Sequence, residues 1–490
     1  MYQLKKQSTV TLIERLCEEL DREGVLYCQW KGHWKQQRWA SGEGDIDLLV
    51  DSVDGDRFVS ILCRVGFKQA MPPVERQIPG TSHYYGLDSE VDKFIHLHVH
   101  HQIIFGHHAT MTYHLPLERP LLASSRPGKF FRTPAPEFEL ILFVISAIVR
   151  YSIYAATIRK ERAWSLAERQ NLEYLNSLAD AAKTRQALER YLPLVEPTFF
   201  ESCLRSLQRQ CSHWTRLKLK WQLHSRLKAH LRRAQFIDFL LRLKYWVINR
   251  ICRRVRRGSR NYLTSGGKLI ALVGGDGAGK STAVTALYEW LSRSFCTTTI
   301  HLGKPSPSVC TIVVAIARRV ALLFGKLFDL VRPLSTANRR RFTLHDYLLL
   351  LRSVCIARDR YCLYKRARRL ATNGTLVICD RYPTPQIESM DGPNISRLIP
   401  PGHMNRISAF LQETEASYYR QIMPADVMIV LKVRPEIAVQ RKTDEDADYV
   451  RARSLEVWKL DLSQTAHVLD AGRAKTDVLD DLKNLVWSEL

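Results

Sequence analysis

A glycine-rich stretch near the middle of the chain constrains the fold more than any other feature. Residues 268–287 read KLIALVGGDGAGKSTAVTAL, in which an apolar run enters a glycine-rich loop and then a periodic segment without Gly or Pro. This order predicts a strand, a loop and a helix. The loop fits the pattern GxxxxGK followed by Ser or Thr, in which backbone N–H groups close around phosphate oxygens. The simpler alternative is a structural glycine turn before a helix.

The flanking strand and helix favour phosphate binding, with Lys280 reaching the β- and γ-phosphates and Ser281 offering its hydroxyl to Mg²⁺. ATP and Mg²⁺ are therefore the predicted cofactors. The predicted nucleotide-binding residues are Gly274, Gly275, Asp276, Gly277, Ala278, Gly279, Lys280, Ser281 and Thr282.

The length of the chain and its cysteine usage limit the possible domain architecture and cellular compartment. A chain of 490 residues predicts about three domains, which we place at residues 1–135, 136–260 and 266–490. The 11 cysteines are scattered without a CxxC pair, which argues against a disulfide framework and a structural zinc site. Because the start of the chain shows no secretory pattern, we expect a cytoplasmic protein.

The net charge of +24 is concentrated in two segments. Residues 201–260 carry 17 Lys and Arg against two acidic residues, and residues 311–370 carry 14 against three. We therefore expect an acidic partner or surface at these two segments.

The amino-terminal region offers a second candidate site. Asp45 and Asp47 open an apolar strand after a glycine-rich turn, and residues two apart on a strand share a face. Two carboxylates placed in this way can hold the metal ions of a phosphoryl or nucleotidyl transfer.

This pattern resembles the polymerase-β type of nucleotidyltransferase, with Gly32, or the segment from Gly42 to Gly44, as the turn. The family has a third carboxylate on a later strand, where this chain reads KFIHLHVHHQIIFG. His96, His98 and His100 alternate there on one face. They fit a transition-metal site together with the aspartates, a polar strand face, or a domain that keeps the fold without the activity.

The middle region is predicted to be helical and strongly basic. Residues 116–136 form a proline-rich loop in this interpretation, and residues 140–156 form a buried helix. From about 203 to 258, aromatic and leucine residues at helical spacing alternate with Lys and Arg. Three interpretations stay open: a helix on an anionic membrane surface, which would make the protein peripheral to the inner membrane, a nucleic-acid interface, or a solvated helix between domains. Residues 258–267 are predicted to be a linker.

The carboxy-terminal region repeats the strand-to-helix pattern of a doubly wound sheet. A basic insertion at 305–370 is followed by the strand LVIC, with Asp380 and Arg381 at its carboxyl end, where ligands bind in such sheets. The sequence GGDGAGKST followed by a strand ending in DRY, with VMIVLKVRPEIAVQRK further on, resembles the thymidylate kinases and related P-loop nucleotide kinases. This resemblance covers residues 266–490.

The resemblance implies roles for particular residues. Asp380 would assist Mg²⁺, Arg381 would contact the transferring or acceptor phosphate, and Asp276 would contact an acceptor hydroxyl. The lid arginines that neutralise the moving phosphoryl group would be Arg441, Arg451 and Arg453. The chain departs from the family after the second strand, where it has Lys304 in HLGKPSPS, and at residues 389–393.

The whole chain therefore predicts an α/β P-loop kinase domain with a parallel sheet, a small α+β nucleotidyltransferase-like domain, and a basic helical arm between them. The predicted function is phosphoryl transfer from Mg²⁺-ATP to a nucleotide or to a sugar- or lipid-linked intermediate. Two alternatives remain: a nucleotidyltransferase acting through Asp45 and Asp47 with the P-loop as regulator, and an ATP-switched membrane or nucleic-acid binding module without turnover.

Overall fold

A computed structural model provides the structure of the protein. It describes residues 11–31, 44–106, 110–128, 130–151, 166–208, 211–255, 260–329, 343–384, 386–387, 392–399, 404–443, 445–462 and 464–490. The chain divides into two compact units, Met1–Thr264 and Ser265–Leu490. A finer division of the first unit near residue 135 stays a prediction.

The first unit contains a six-stranded mixed sheet. Its strands pair in the order β1-β2-β5-β4-β3-β8, and β2 runs parallel to β5 while the other pairs are antiparallel. A separate antiparallel ribbon pairs β6 with β7. The strands are β1 (Tyr27–Gln29), β2 (Asp45–Val50), β3 (Phe67–Met71), β4 (Thr81–Asp88), β5 (Lys93–His100), β6 (Ile103–Phe105), β7 (Tyr113–Leu115) and β8 (Tyr262–Leu263).

Helices of the first unit cover the sheet and extend its core. The side chains of Cys28 and Leu49 from β1 and β2 belong to the same hydrophobic cluster as Ile141, Leu188 and Leu223 from three of these helices. The middle helices therefore share a core with part of the sheet. The helices are α1 (Thr11–Arg22), α2 (Gly55–Val65), α3 (Glu118–Ala123), α4 (Pro136–Arg150), α5 (Leu166–Leu178), α6 (Ala181–Tyr191), α7 (Pro197–Gln208), α8 (His213–Arg226) and α9 (Gln235–Val255).

The second unit contains a five-stranded sheet in which every neighbouring pair is parallel. The order is β10-β11-β9-β12-β13, so the first strand of the unit lies in the middle. All six residues of β9 are buried, as a central strand covered on both faces requires. The strands are β9 (Leu269–Gly274), β10 (Thr297–His301), β11 (Leu376–Asp380), β12 (Val427–Lys432) and β13 (His467–Asp470).

The helices of this second unit lie between successive parallel strands, except α17, which follows the last strand. They are α10 (Lys280–Leu291), α11 (Val309–Asp329), α12 (Leu344–Thr372), α13 (Ile395–Leu398), α14 (Arg406–Arg420), α15 (Pro435–Arg441), α16 (Ala447–Lys459) and α17 (Lys475–Glu489). The mixed α/β fold and the parallel sheet of residues 266–490 are thereby confirmed. None of the helices in the described part of the chain combines the length and hydropathy that a membrane span requires.

Two predicted loops contain regular structure. The loop predicted at 116–136 contains α3, whose Pro120 lies in the first turn, where its missing N–H is tolerated. The linker predicted at 258–267 contains β8, which adds to the sheet edge through Ala70 and Met71. The loop prediction was wrong at α3. The predicted linker does contain the boundary between the two units, at Thr264 and Ser265, but it also contributes a two-residue strand.

Candidate functional site

The glycine-rich loop lies between the central strand of the parallel sheet and a helix N-terminus. Strand β9 ends at Gly274 and α10 begins at Lys280, with Gly279 in the left-handed region at φ 82°. Gly277 also has a positive φ of 77°, and a Cβ there would lie 2.6 Å from the carbonyl oxygen of Ala438. The motif therefore has the local geometry that it predicts, with the backbone N–H groups of a helix N-terminus at the loop.

Lys280 is buried beside the loop and is held by it. Its side chain is 7% exposed, and Nζ donates to the carbonyl oxygens of Gly274 at 2.8 Å and Gly275 at 2.7 Å. Burial lowers the pKa of Lys280 to about 8, against the opposing effect of the Asp276 carboxylate. The lysine is thus positioned at the loop with a charge that titrates near neutral pH.

Three cationic side chains converge on the buried carboxylate of Asp276, which is 4% exposed. Arg453 on α16 places Nη1 2.9 Å from Oδ2, Arg381 places Nη2 3.5 Å from Oδ1, and Lys280 places Nζ 4.0 Å from Oδ1. One carboxylate faces three cations, so the loop carries an excess of positive charge. Such an excess suits a polyphosphate anion.

The carboxyl end of β11 supplies Asp380 and Arg381. Arg381 has a φ of 57°, and Gly303 gives its side chain room, since a Cβ there would lie 2.7 Å from Arg381 Cδ. One oxygen of Asp380 lies 3.7 Å from Nε2 of His301, and the other, Oδ1, is buried without a hydrogen-bond partner among the described residues. A carboxylate oxygen of this kind, with the exposed Ser281 at the start of α10, fits a hard cation such as Mg²⁺.

The three predicted lid arginines lie in different places. Arg453 reaches Asp276, as described. The Arg441 side chain donates through Nη1 to the carbonyl oxygen of Ala471 at 2.9 Å. Arg451 instead pairs with Asp448 at 3.0 Å, and its side chain is 54% exposed. The structure therefore brings Arg453 to the loop and leaves Arg451 on the surface.

The described part of the second unit contains two cavities. One of about 260 Å³ lies against the loop and the start of α10; its lining includes Gly279, Thr282, Arg441, Arg473 and Lys475. The other, of about 400 Å³, is lined by residues that follow β11 and by two helices, including Pro383, Thr384, Pro393, Arg397 and Tyr419. Of the predicted departure at 389–393, residues 389–391 lie outside the described residues, while Gly392 and Pro393 line this second cavity.

The sequence reasoning missed Arg360. This arginine on α12 is 4% exposed, and its Nε and Nη2 donate to the carbonyl oxygens of Leu302 at 2.8 Å and Gly303 at 3.0 Å. It therefore fixes the turn after β10, beside Arg381. A signal was present, because Arg360 lies between Ala357 and Tyr364 on the buried face of the helix, where an arginine needs specific partners.

The first unit has a different constellation around Asp45 and Asp47. Strand β2 pairs in parallel with β5, with Asp45 opposite His96 and Asp47 opposite His98. Asp45 accepts from Nδ1 of His96 at 2.7 Å, and Asp47 accepts from Nε2 of His100 at 3.1 Å. The predicted neighbours are therefore in contact, and each aspartate is held by imidazole.

These contacts shift the acidity of both aspartates. The hydrogen bond from His96 lowers the pKa of Asp45 despite burial. Burial raises the pKa of Asp47, but the hydrogen bonds from His100 and His98 outweigh this effect and hold it well below its ordinary value. Both carboxylates are therefore ionised at neutral pH.

A cavity of about 340 Å³ opens beside these aspartates. Its lining includes both aspartates and also Lys31, Glu139 and Arg150. Strand β5 carries no carboxylate facing the pair, and the third acid at this cavity, Glu139, comes from helix α4.

The predicted glycine turn before β2 is described only at its end. Gly32 and Gly42 lie outside the described residues. Gly44 directly precedes β2 and has a φ of 88°, in the left-handed region that glycine adopts without strain. The chain therefore enters the strand of the two aspartates through a backbone conformation that a glycine suits.

The fold and the loop of the second unit define a P-loop α/β protein. No protein-family model matches the chain. It is 30% identical over 189 residues to the uncharacterized ATP-binding protein YghR of Escherichia coli K12, covering 36% of this chain and 70% of that protein, and the YghR protein of E. coli O6:H1 matches equally. The chain belongs to the family of the YghR ATP-binding proteins.

Among solved structures, the thymidylate kinase of Candida albicans aligns with 46% of this chain and 92% of its own length. The sequence identity is 19% and the TM-score is 0.31.

Proposed function

We propose that the protein is an ATP-dependent phosphotransferase whose active site is the P-loop of the second unit. The observation that carries this proposal is the convergence of Lys280, Arg381 and Arg453 on Asp276. Phosphate binding needs only the loop and its lysine. Two further arginines, from the end of β11 and from α16, deliver charge to the place where the γ-phosphoryl group would lie, which is what phosphoryl transfer requires of a protein. The ATP-binding name of the YghR relatives supports the choice of nucleotide.

In this proposal each side chain has a defined task. Lys280 exchanges the carbonyl oxygens of Gly274 and Gly275 for the β- and γ-phosphate oxygens of ATP. Arg381 and Arg453 neutralise charge that develops on the transferring group, and Arg441 lies at the cavity beside α10, where the nucleoside would bind. Mg²⁺, held by Ser281 and Asp380, would supply charge neutralisation between the phosphates when bound.

The acceptor would enter the cavity of about 400 Å³ that follows β11. Its lining combines apolar side chains with Arg397, Arg420 and the ring of Tyr419, a combination suited to an anionic small molecule. We therefore propose an acceptor that already carries a phosphate, such as a nucleoside monophosphate or a phosphorylated sugar or lipid-linked intermediate.

A transfer assay with Mg²⁺-ATP and a panel of nucleoside monophosphates tests the proposal. Lys280→Ala should lower turnover at least about a hundredfold, because it removes a preorganised charge at the developing negative charge. Lys459→Ala, an exposed lysine at the end of α16, is the matched control and should act like the wild type. Full turnover in Lys280→Ala would refute the proposal. If the wild type bound ATP without any turnover, the result would refute it as well and would favour the ATP-switched binding module.

The second enzymatic candidate is nucleotidyl transfer at Asp45 and Asp47. The cavity beside them, with Lys31 and Arg150 in its lining, favours it. Against it, each aspartate already accepts a hydrogen bond from a histidine of β5. The double variant Asp45→Asn, Asp47→Asn separates the two candidates, since we expect it to retain phosphoryl transfer. Loss of turnover in this variant alone would move the chemistry to the first unit.

We also propose that helix α9 docks on an anionic membrane surface. Its buried side is anchored by Asp238, which is 4% exposed and accepts a hydrogen bond from the Thr112 hydroxyl at 3.2 Å. The opposite side presents a continuous apolar stripe at helical spacing, and Lys244 and Arg250 are exposed beside it. The stripe consists of Phe236 (70% exposed), Phe239 (62%), Leu240 (46%), Leu243 (50%), Trp246 (60%) and Val247 (41%).

Vesicle co-sedimentation tests this docking surface. Binding to anionic vesicles should exceed binding to neutral ones and should weaken with salt. Phe239→Ser with Trp246→Ser should weaken it about tenfold or more by removing apolar area, while Val53→Ser, which replaces another exposed apolar residue of this unit, should not. Equal binding to neutral vesicles, or binding to nucleic acid only, would refute the proposal.

A further inference from the structure

Three histidines from two neighbouring strands form a compact cluster in the first unit. His83 lies on β4, while His96 and His98 lie on β5, and one ring nitrogen of each lies within 4.8 Å of the others. The sequence suggested the alternating trio on β5, but the antiparallel register places His83 directly opposite His98. His83 therefore replaces His100 in the cluster, and His100 faces Asp47 instead.

The spacing of the nitrogens suits coordination by a small divalent ion. Nδ1 of His83 and Nε2 of His96 are 3.1 Å apart and share a hydrogen bond, which an ion bound to both nitrogens would replace. Two imidazole nitrogens bound tetrahedrally at about 2.0–2.1 Å from Zn²⁺ lie about 3.3 Å apart. The nitrogen of the third ring lies within 4.8 Å of the other two, so a ring rotation is needed to bring it to the same distance.

The aspartates orient two of the rings for this purpose. Asp45 accepts from Nδ1 of His96, so the proton of the neutral ring lies on Nδ1 and the lone pair of Nε2 points towards His83. Asp47 lies 3.5 Å from Nδ1 of His98 and favours the same tautomer there. A carboxylate behind a histidine is the usual support of a metal-binding imidazole, because it fixes the ring and raises its basicity.

The surroundings of the cluster hold it together and keep it accessible. His83 is 7% exposed, and its Nε2 is buried without a hydrogen-bond partner among the described residues. The ring of Tyr85 stacks on His96 with centroids 4.1 Å apart. The side chains of His96 and His98 are each 17% exposed, so a bound ion would keep an open position for water or an anionic ligand.

We propose that His83, His96 and His98 form a binding site for a first-row transition-metal ion of the Zn²⁺ class, with Asp45 and Asp47 as the carboxylates that orient the rings. Three nitrogen donors select such an ion over Mg²⁺, which prefers oxygen. The site is separate from the P-loop and does not depend on the proposed phosphotransferase activity.

Titration of the full-length, chelator-treated protein with Co²⁺ in the absence of nucleotide tests the site. We expect one equivalent to bind with the intense visible bands of a tetrahedral site, Zn²⁺ to displace it, and excess Mg²⁺ to leave it bound. His96→Gln and His98→Gln should each weaken binding about a hundredfold or more, since each removes a ligand. His114→Gln is the matched control, because His114 also pairs with a carboxylate, at 2.9 Å from Glu118, outside the cluster.

Asp45→Asn covers the case in which a histidine variant fails to fold. The Asp45 side chain is 55% exposed, so its replacement is compatible with folding, and the loss of an orienting carboxylate should weaken Co²⁺ binding about 10- to 100-fold. Zn²⁺ should also raise the Tm of the wild type more than that of Asp45→Asn, because an ion that binds the folded state stabilises it. Absence of stoichiometric Co²⁺ binding in the wild type, or unchanged affinity in all three cluster variants, would overturn the proposal.

Discussion

Each unit has a candidate site built around aspartates: Asp45 and Asp47 lie in strand β2, and Asp276 lies in the loop after strand β9. The side chains that contact these aspartates differ in charge between the two units. In the second unit, Asp276 faces one lysine and two arginines, so the site has an excess of positive charge. In the first unit, Asp45 and Asp47 face imidazole rings, so the site keeps its negative charge and its nitrogen lone pairs. The carboxylate alone therefore does not determine the ligand. Its partners make one site suited to anions and the other to cations.

The largest effect that would sharpen this comparison is expected at α16. Arg453→Ala should lower kcat for phosphoryl transfer about a hundredfold, because it removes a charge that reaches the loop. Arg451→Ala, two residues earlier on the same helix, should change kcat less than about threefold, since Arg451 pairs with Asp448 on the surface. Steady-state kinetics with both variants check this, and equal losses would contradict the placement of α16.

An intermediate effect is expected when an aspartate is replaced by asparagine in each unit. Asp276→Asn should lower kcat/KM about tenfold, because Arg381 and Arg453 lose the charged partner that positions them. Asp47→Asn should instead weaken Co²⁺ binding and change kcat/KM little. Both kcat/KM and Co²⁺ affinity should be measured for each of the two variants. If one variant changed both quantities, the two sites would not be independent and the comparison would fail.

The effect that is smallest near neutral pH is expected in the pH dependence of nucleotide binding. Since the pKa of Lys280 is lowered to about 8 in the free protein, the lysine is charged below that pH and neutral above it. A bound phosphate would favour the charged form and raise this pKa, so binding above about pH 8 would take up a proton. The affinity for ATP should then fall by up to about tenfold per pH unit above about 8.

Calorimetric titration of the wild type and Lys280→Ala between about pH 7 and 10 measures this slope. Arg381 and Arg453 stay charged throughout this range, so the variant should bind more weakly but with a flat profile. A flat profile in the wild type would show that Lys280 is not the titrating group.

Local patterns predicted much of the second unit. The motif around Lys280 predicted its strand, loop and helix, and the apolar run ending at Asp380 predicted a strand with its ligand-facing end. In the first unit, Leu12, Ile13, Leu16 and Leu20 follow helical spacing, and all four are buried in helix α1. These features are visible in sequence because strand-loop-helix geometry and helical periodicity depend on neighbours within a few residues.

Contacts between distant segments were not predictable in the same way. The sequence named Arg451 and Arg453 equally, and only the orientation of α16 distinguishes them. Arg360 fixes the turn at Leu302 and Gly303 from 57 or more positions away along the chain. Helical spacing shows which side of a helix is buried, but not which backbone it will meet.

By itself the sequence determined a phosphate-binding loop on a parallel α/β unit, a pair of aspartates on a strand, and a basic middle region. Only the tertiary structure decided that Asp276 gathers cations, that His83 joins His96 and His98, and that α9 exposes an apolar stripe. The physical reason is that residue type and spacing fix local backbone geometry, whereas the charge and burial of a site depend on side chains brought together by strand register and helix packing.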